Sequence, residues 1–88
     1  MTRTELLRTA NRHVVGDRDE TYGSPEESFG LIAELWSAYL DLQITPVTVA
    51  ALMSLFKIAR MRGKPHIDNF IDLAGYAACG GELLGEAE

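Results

Sequence analysis

A chain of 88 residues with 47% apolar side chains is long enough for one core, too short for a second, and too apolar to be disordered. Its net charge of −5 argues against general nucleic-acid binding, which asks for clustered Lys and Arg. The single cysteine, Cys79, cannot form an internal disulfide. No run resembles a signal peptide or approaches the ~20 apolar residues of a membrane span, so a soluble, cytoplasmic protein is expected.

The acidity is local: net charge is 0 over residues 1–24, −1 over 25–62 and −4 over 63–88. The first element begins at Thr2-Arg3-Thr4-Glu5, which fits a capping box with Thr2 as N-cap. Leu6, Leu7, Ala10, Val14 and Val15 recur at helical spacing, predicting an amphipathic helix over 3–15 that Gly16 ends. Residues 16–24 then form a polar interval. Its Asp17 and Asp19 start like a calcium loop, but Tyr22 stands where glycine is needed and Ser28 where the bidentate glutamate is needed. This interval is either a solvated connector or a ligand loop, with the Arg18 guanidinium for a phosphate and the Tyr22 ring for a base.

Ser24-Pro25-Glu26-Glu27 is the clearest helix start, with Ser24 as cap, Pro25 at the first helical position and Glu27 as capping partner. The helix should run over 25–40 with Phe29, Ile32, Ala33, Trp36 and Leu40 inward. Glu27 and Glu34 fall on the opposite side, beside Leu31 and Leu35, so that side is solvated or covered by a metal site or a second subunit. Thr45-Pro46 repeats the cap and opens a helix over 46–62 that is apolar around nearly its whole circumference.

Lys57 interrupts that apolar run, on a strip with Ala50, Ser54 and Met61. Either its ammonium snorkels to water, or it has a carboxylate or phosphate partner, because burying an unpaired ammonium is costly. Gly63-Lys64-Pro65-His66 then turns the chain and is no Walker A loop, since GxxxxGK[ST] is absent. The last helix should cover 67–84. Asp68 and Asp72 are four residues apart on one face, in a stripe continued by Gly75, Cys79 and Glu82, while Phe70, Leu73, Ala77 and Leu84 should form the core side.

Two carboxylates so placed repel unless water or a cation intervenes, and oxygen-rich sites of this kind suit Mg²⁺. The competing reading has Asp68 complementing the helix dipole and Asp72 pairing with Lys57 or an arginine. Gly75, Gly80 and Gly81 suit close helix contact or a dimer seam. Cys79 reads as an inert buried thiol, His13 as surface, and His66 as a helix-starting residue. The fold expected is all-α, a four-helix bundle-like single domain over 1–88 that assembles as a homodimer or higher oligomer.

YGSPEESF, the lysine-bearing helix and DNFIDLAGYA, in that order, resemble a family of small phage-borne and prophage-borne proteins. More distantly, these resemble the all-α MazG-like nucleoside triphosphate pyrophosphohydrolases. That resemblance implies a Mg²⁺-dependent enzyme that cleaves the α–β phosphoanhydride to a nucleoside monophosphate and pyrophosphate. It further implies metal-binding carboxylates from Glu26, Glu27 and Glu34 on one helix and from Asp68 and Asp72 on a later one. Lys57 would hold a phosphate, and Tyr22 or Trp36 would stack on the base. The chain departs from the family pattern in two places: Gly30 removes the ExxE pair, and the later pair is DxxxD rather than ExxD. A non-catalytic nucleotide-binding protein and a protein-interaction module remain as alternatives.

Overall fold

Three capped starts set the helices of the computed structural model, which describes residues 1–17 and 23–87. Among these residues there are four α-helices and no strand: α1 (Arg3–Arg12), extended by a π-helical turn (His13–Asp17), then α2 (Pro25–Leu40), α3 (Pro46–Ala59) and α4 (Ile67–Ala87). Thr2 Oγ1 accepts from the Glu5 amide at 3.1 Å, Ser24 Oγ from Glu27 at 3.3 Å, and Thr45 Oγ1 from Thr48 at 3.2 Å. Each bond satisfies one of the amides a helix start leaves unpaired. At α4 the His66 ring does the same, its Nδ1 accepting from the Asp68 amide at 3.2 Å.

The ends differ more from expectation than the starts. Gly16 does not stop the first helix. The chain widens into the π turn instead, and Gly23, with φ 83°, is the glycine that takes the left-handed conformation. Asp41 ends α2 with φ 54°, a conformation that Asp tolerates better than most residues, and its amide donates to the Ser37 carbonyl. The Ser37 hydroxyl then fastens the turn: it donates to the Ile44 carbonyl at 3.2 Å and accepts from the Ile44 amide at 2.9 Å. α3 stops at Ala59 rather than 62, because Met61 and Arg62 bond to carbonyls three residues back and tighten the turn. α4 runs on to Ala87 despite its glycines.

The core is built from Phe29 and Ala33 of α2, Val49 and Ala50 of α3, and Tyr76, Cys79 and Leu83 of α4. Phe29 is 1% exposed and its ring centroid lies 6.2 Å from that of Tyr76. α3 and α4 share the most extensive contact, α2 packs mainly on α3, and α1 packs on α4.

One expectation about α4 is corrected. Phe70 and Leu84 are exposed, as is Ala77, while the opposite face carrying Ile71, Gly75, Tyr76, Cys79 and Leu83 is buried. The glycines explain the choice of face. A Cβ on Gly80 would lie 3.1 Å from Ala50 Cβ, and one on Gly75 would lie 3.0 Å from Val14 Cγ1, so the bare backbone lets α3 and α1 approach. Asp72, which looks out of place on such a face, is neutralised there.

These contacts give a paired expectation. Nothing lies within 4 Å of a Cβ on Gly30, mid-way along α2, so Gly30→Ala should raise stability by up to about 1 kcal/mol through helix propensity alone. Gly80→Leu should lower it by about 1–3 kcal/mol, because Ala50 Cβ is fixed to its backbone and α3 must shift. Urea denaturation of both variants checks this, and equal effects in the two would contradict the packing described.

Candidate functional site

Lys57 and Asp72 meet across the α3–α4 seam. The two helices run antiparallel, since Lys57 faces Asp72 while Ala50, two turns earlier, faces Gly80 further along α4. Lys57 Nζ lies 2.9 Å from Asp72 Oδ2, with side chains 12% and 38% exposed. An ammonium so far withdrawn from water needs a counter-charge, and the carboxylate one helix away supplies it. Small and flexible neighbours clear the path: Ala50 is buried, Met61 and Ser54 are half-buried, and the Ser54 hydroxyl folds onto the Ala50 carbonyl at 2.8 Å.

Asp72 also lines a cavity of about 50 Å³ between α1 and α4, with His13 and Tyr76 on its walls. A larger one of about 350 Å³ adjoins it, and the two share Val14 and Cys79. The larger cavity is walled by Asn11 of α1, by Ser24, Pro25 and Glu26 at the start of α2, and by Glu82 of α4. Its size is at the lower end of the range for small-molecule sites. Together they form a furrow walled by the first residues of α2 and by the carboxylates of Glu26, Asp72 and Glu82.

The residues expected from sequence are distributed unevenly around this furrow. Lys57 and Asp72 are in contact, and Glu26 is the α2 glutamate that lines the furrow. Glu27 folds back over Gly23, where a Cβ would collide with its carboxylate. Glu34 is exposed, and Asp68, 76% exposed, stands 3.7 Å from the His66 ring. Trp36 packs against the core. Arg18 and Tyr22 lie outside the described residues.

Among the described residues no three Asp, Glu, His or Cys side chains converge closely enough to hold a metal ion. The furrow's Asn11, His13 and Glu82 were not singled out as site residues. The signal for Glu82 lay in the stripe from Asp68 through Asp72 and Cys79, which the packing of α1 on α4 turns into a furrow wall.

These features define a small all-α protein with an acidic furrow over its α1–α4 seam, and no described helix is long and apolar enough to cross a membrane. The chain belongs to the family described as "Domain of unknown function (DUF6378)", whose model matches residues 5–84. It is similar to the "Gene 55 protein" of Mycobacterium phage D29, with 48% identity over 75 residues that cover 84% of this chain and 50% of the relative. It is also similar to the "Gene 55 protein" of Mycobacterium phage L5, with 43% identity over 74 residues, 82% of this chain and 47% of the relative. The resemblance to phage-type proteins therefore holds, and the chain spans about half the length of these curated relatives. No solved structure gives a significant match.

Proposed function

We propose that the chain binds a nucleoside triphosphate with Mg²⁺ in the α1–α4 furrow and cleaves its α–β phosphoanhydride, as the resemblance to MazG-like enzymes implies. The observation that carries this reading is the furrow's chemistry: Glu26, Asp72 and Glu82 line it, together with Ser24 and Pro25 at the start of α2. Carboxylates would repel a bare triphosphate, whereas the helix end attracts phosphate, so the ligand that suits both is a phosphate carrying a divalent cation.

Mg²⁺ needs only one or two protein carboxylates when water and phosphate complete its shell, so the absence of a three-ligand cluster among the described residues is compatible with this role. Glu26 and Glu82, which wall the same cavity, would hold the ion, which would supply charge neutralisation at phosphate and an acidified water. Lys57 would orient Asp72, whose Oδ2 it holds at 2.9 Å beside the smaller cavity. His13, which lines the same cavity as Asp72, would donate to a phosphate oxygen. This chemistry would operate in the host cytoplasm, where nucleoside triphosphates are.

A second reading has its own observation: Lys57 and Asp72 already satisfy each other. In that case the chain is a non-catalytic nucleotide-binding or protein-interaction module, and the pair only ties α3 to α4. Pyrophosphate release from a panel of nucleoside triphosphates separates the two. Mg²⁺-dependent release that falls at least about tenfold in Glu26→Gln is the expected result. Turnover unchanged in that variant, or saturable nucleotide binding in EDTA without turnover, would favour the second reading.

A further inference from the structure

A third cavity, of about 550 Å³, lies along the end of α1 and is walled by Asn11, Arg12, His13, Val15 and Gly16. It adjoins both parts of the furrow, sharing Asn11 and Val15 with the larger cavity and His13 with the smaller one. The cavities differ in charge. Glu26, Asp72 and Glu82 all lie in the furrow, whereas the described residues around the third cavity include no carboxylate, and the guanidinium of Arg12 stands there instead. A ligand that spans the larger cavity and the third one meets acidic groups at one end and neutral or cationic groups at the other.

We propose that the third cavity takes the base of the bound nucleotide and that Asn11 selects that base. The proposal rests on the reading of the furrow as a Mg²⁺–triphosphate site, and three observations support it. The first is room. The larger furrow cavity, about 350 Å³, is by itself at the lower end of the ~300–1,000 Å³ of small-molecule sites, and with the third cavity added the space stays within that range.

The second is the state of Asn11. Its side-chain amide is exposed and bonds to no other described residue, whereas Ser24 Oγ is engaged in capping α2 and Asp72 in holding Lys57. An amide presents a donor and an acceptor side by side, and so does the edge of a nucleobase. A site that hydrogen-bonds such an edge rejects bases whose donors and acceptors are ordered differently. The third observation is what stands beside Asn11. The Arg12 guanidinium is steadied by Thr9, to whose Oγ1 its Nη2 donates at 3.3 Å, and a flat cation of this kind stacks on a ring. Val15, four residues on from Asn11, adds apolar contact on the same wall.

Calorimetric titration of the 88-residue chain in Mg²⁺ tests this, using nucleoside triphosphates that differ only in base, and inorganic tripolyphosphate, which has neither base nor sugar. The wild type is expected to prefer one base. Asn11→Ala should bind that nucleotide about tenfold more weakly, the worth of a hydrogen bond or two, and should lose the ranking among bases. Tripolyphosphate should bind both proteins alike. The substitution lies at an exposed helical position where alanine is the better helix former, so the variant should fold, and circular dichroism checks that. Tripolyphosphate binding with no preference among bases, or a ranking unchanged in Asn11→Ala, would overturn the proposal and leave the phosphate site standing. An equal loss of tripolyphosphate affinity would make Asn11 a phosphate contact and overturn it as well. Binding of neither tripolyphosphate nor any nucleotide would overturn this proposal and the furrow reading together.

Discussion

Asp72→Asn is expected to lower the unfolding free energy by about 2–3 kcal/mol. Removing one member of a fully buried ion pair costs about 3–5 kcal/mol, chiefly because the remaining charge is left without a partner. Here the remaining charge is Lys57, only 12% exposed, while Asp72 at 38% still reaches water, so the cost is scaled down. In a domain of this size the loss corresponds to about 10 °C or more in Tm. The double variant Lys57→Met, Asp72→Leu should recover most of the loss, because it removes the buried charge together with its partner. Thermal unfolding of the two variants and the wild type decides the matter. An Asp72→Asn protein as stable as wild type would mean that Lys57 finds water or another acceptor, and the α3–α4 seam would have to be described differently.

Phe29→Ala is expected to cost more, about 3–5 kcal/mol. The ring is 1% exposed, lies against Tyr76, and sits where α2, α3 and α4 converge. Its loss would leave a cavity that the neighbouring small residues Ala33 and Ala50, themselves on rigid helices, cannot fill. Proteins of this size are stable by only about 4–13 kcal/mol, so the variant should unfold at a much lower urea concentration or be partly unfolded without denaturant. Circular dichroism followed through a urea titration measures this. A midpoint within error of wild type would place the centre of the core elsewhere.

The helix starts were legible in the sequence because each depends on neighbouring residues. Thr2, Ser24 and Thr45 cap as their spacing requires, and two of the three lead straight into a proline. Helix ends were less legible. Asp41 in a left-handed conformation and the Ser37–Ile44 fastening depend on where α3 returns, and no local signal marks them. The buried face of α4 was misassigned for a related reason. Periodicity favours the side with Phe70 and Leu84, but the close approach of α1 and α3 needs glycines, and these lie on the side that carries Asp72.

The lysine inside an apolar run signalled a paired charge, and Asp72 was one of the partners that helical spacing allowed. Which α2 glutamate reaches the furrow could not be read from α2 alone. Glu26 and Glu27 differ by 100° on the wheel, and the packing of α1 on α4 decides where the furrow lies.

The central claim is that the furrow takes a Mg²⁺-bound nucleoside triphosphate, and thermal shift of the purified chain against a nucleotide panel, with Mg²⁺ and with EDTA, tests it most directly. A ligand that binds only the folded state at a hundredfold above its Kd adds about 2.7 kcal/mol, or about 10 °C or more in a domain this small. The expected result is a rise of that order with at least one triphosphate and Mg²⁺, lost in EDTA and reduced in Glu26→Gln. No shift with any nucleotide, or an equal shift with and without Mg²⁺, would contradict it.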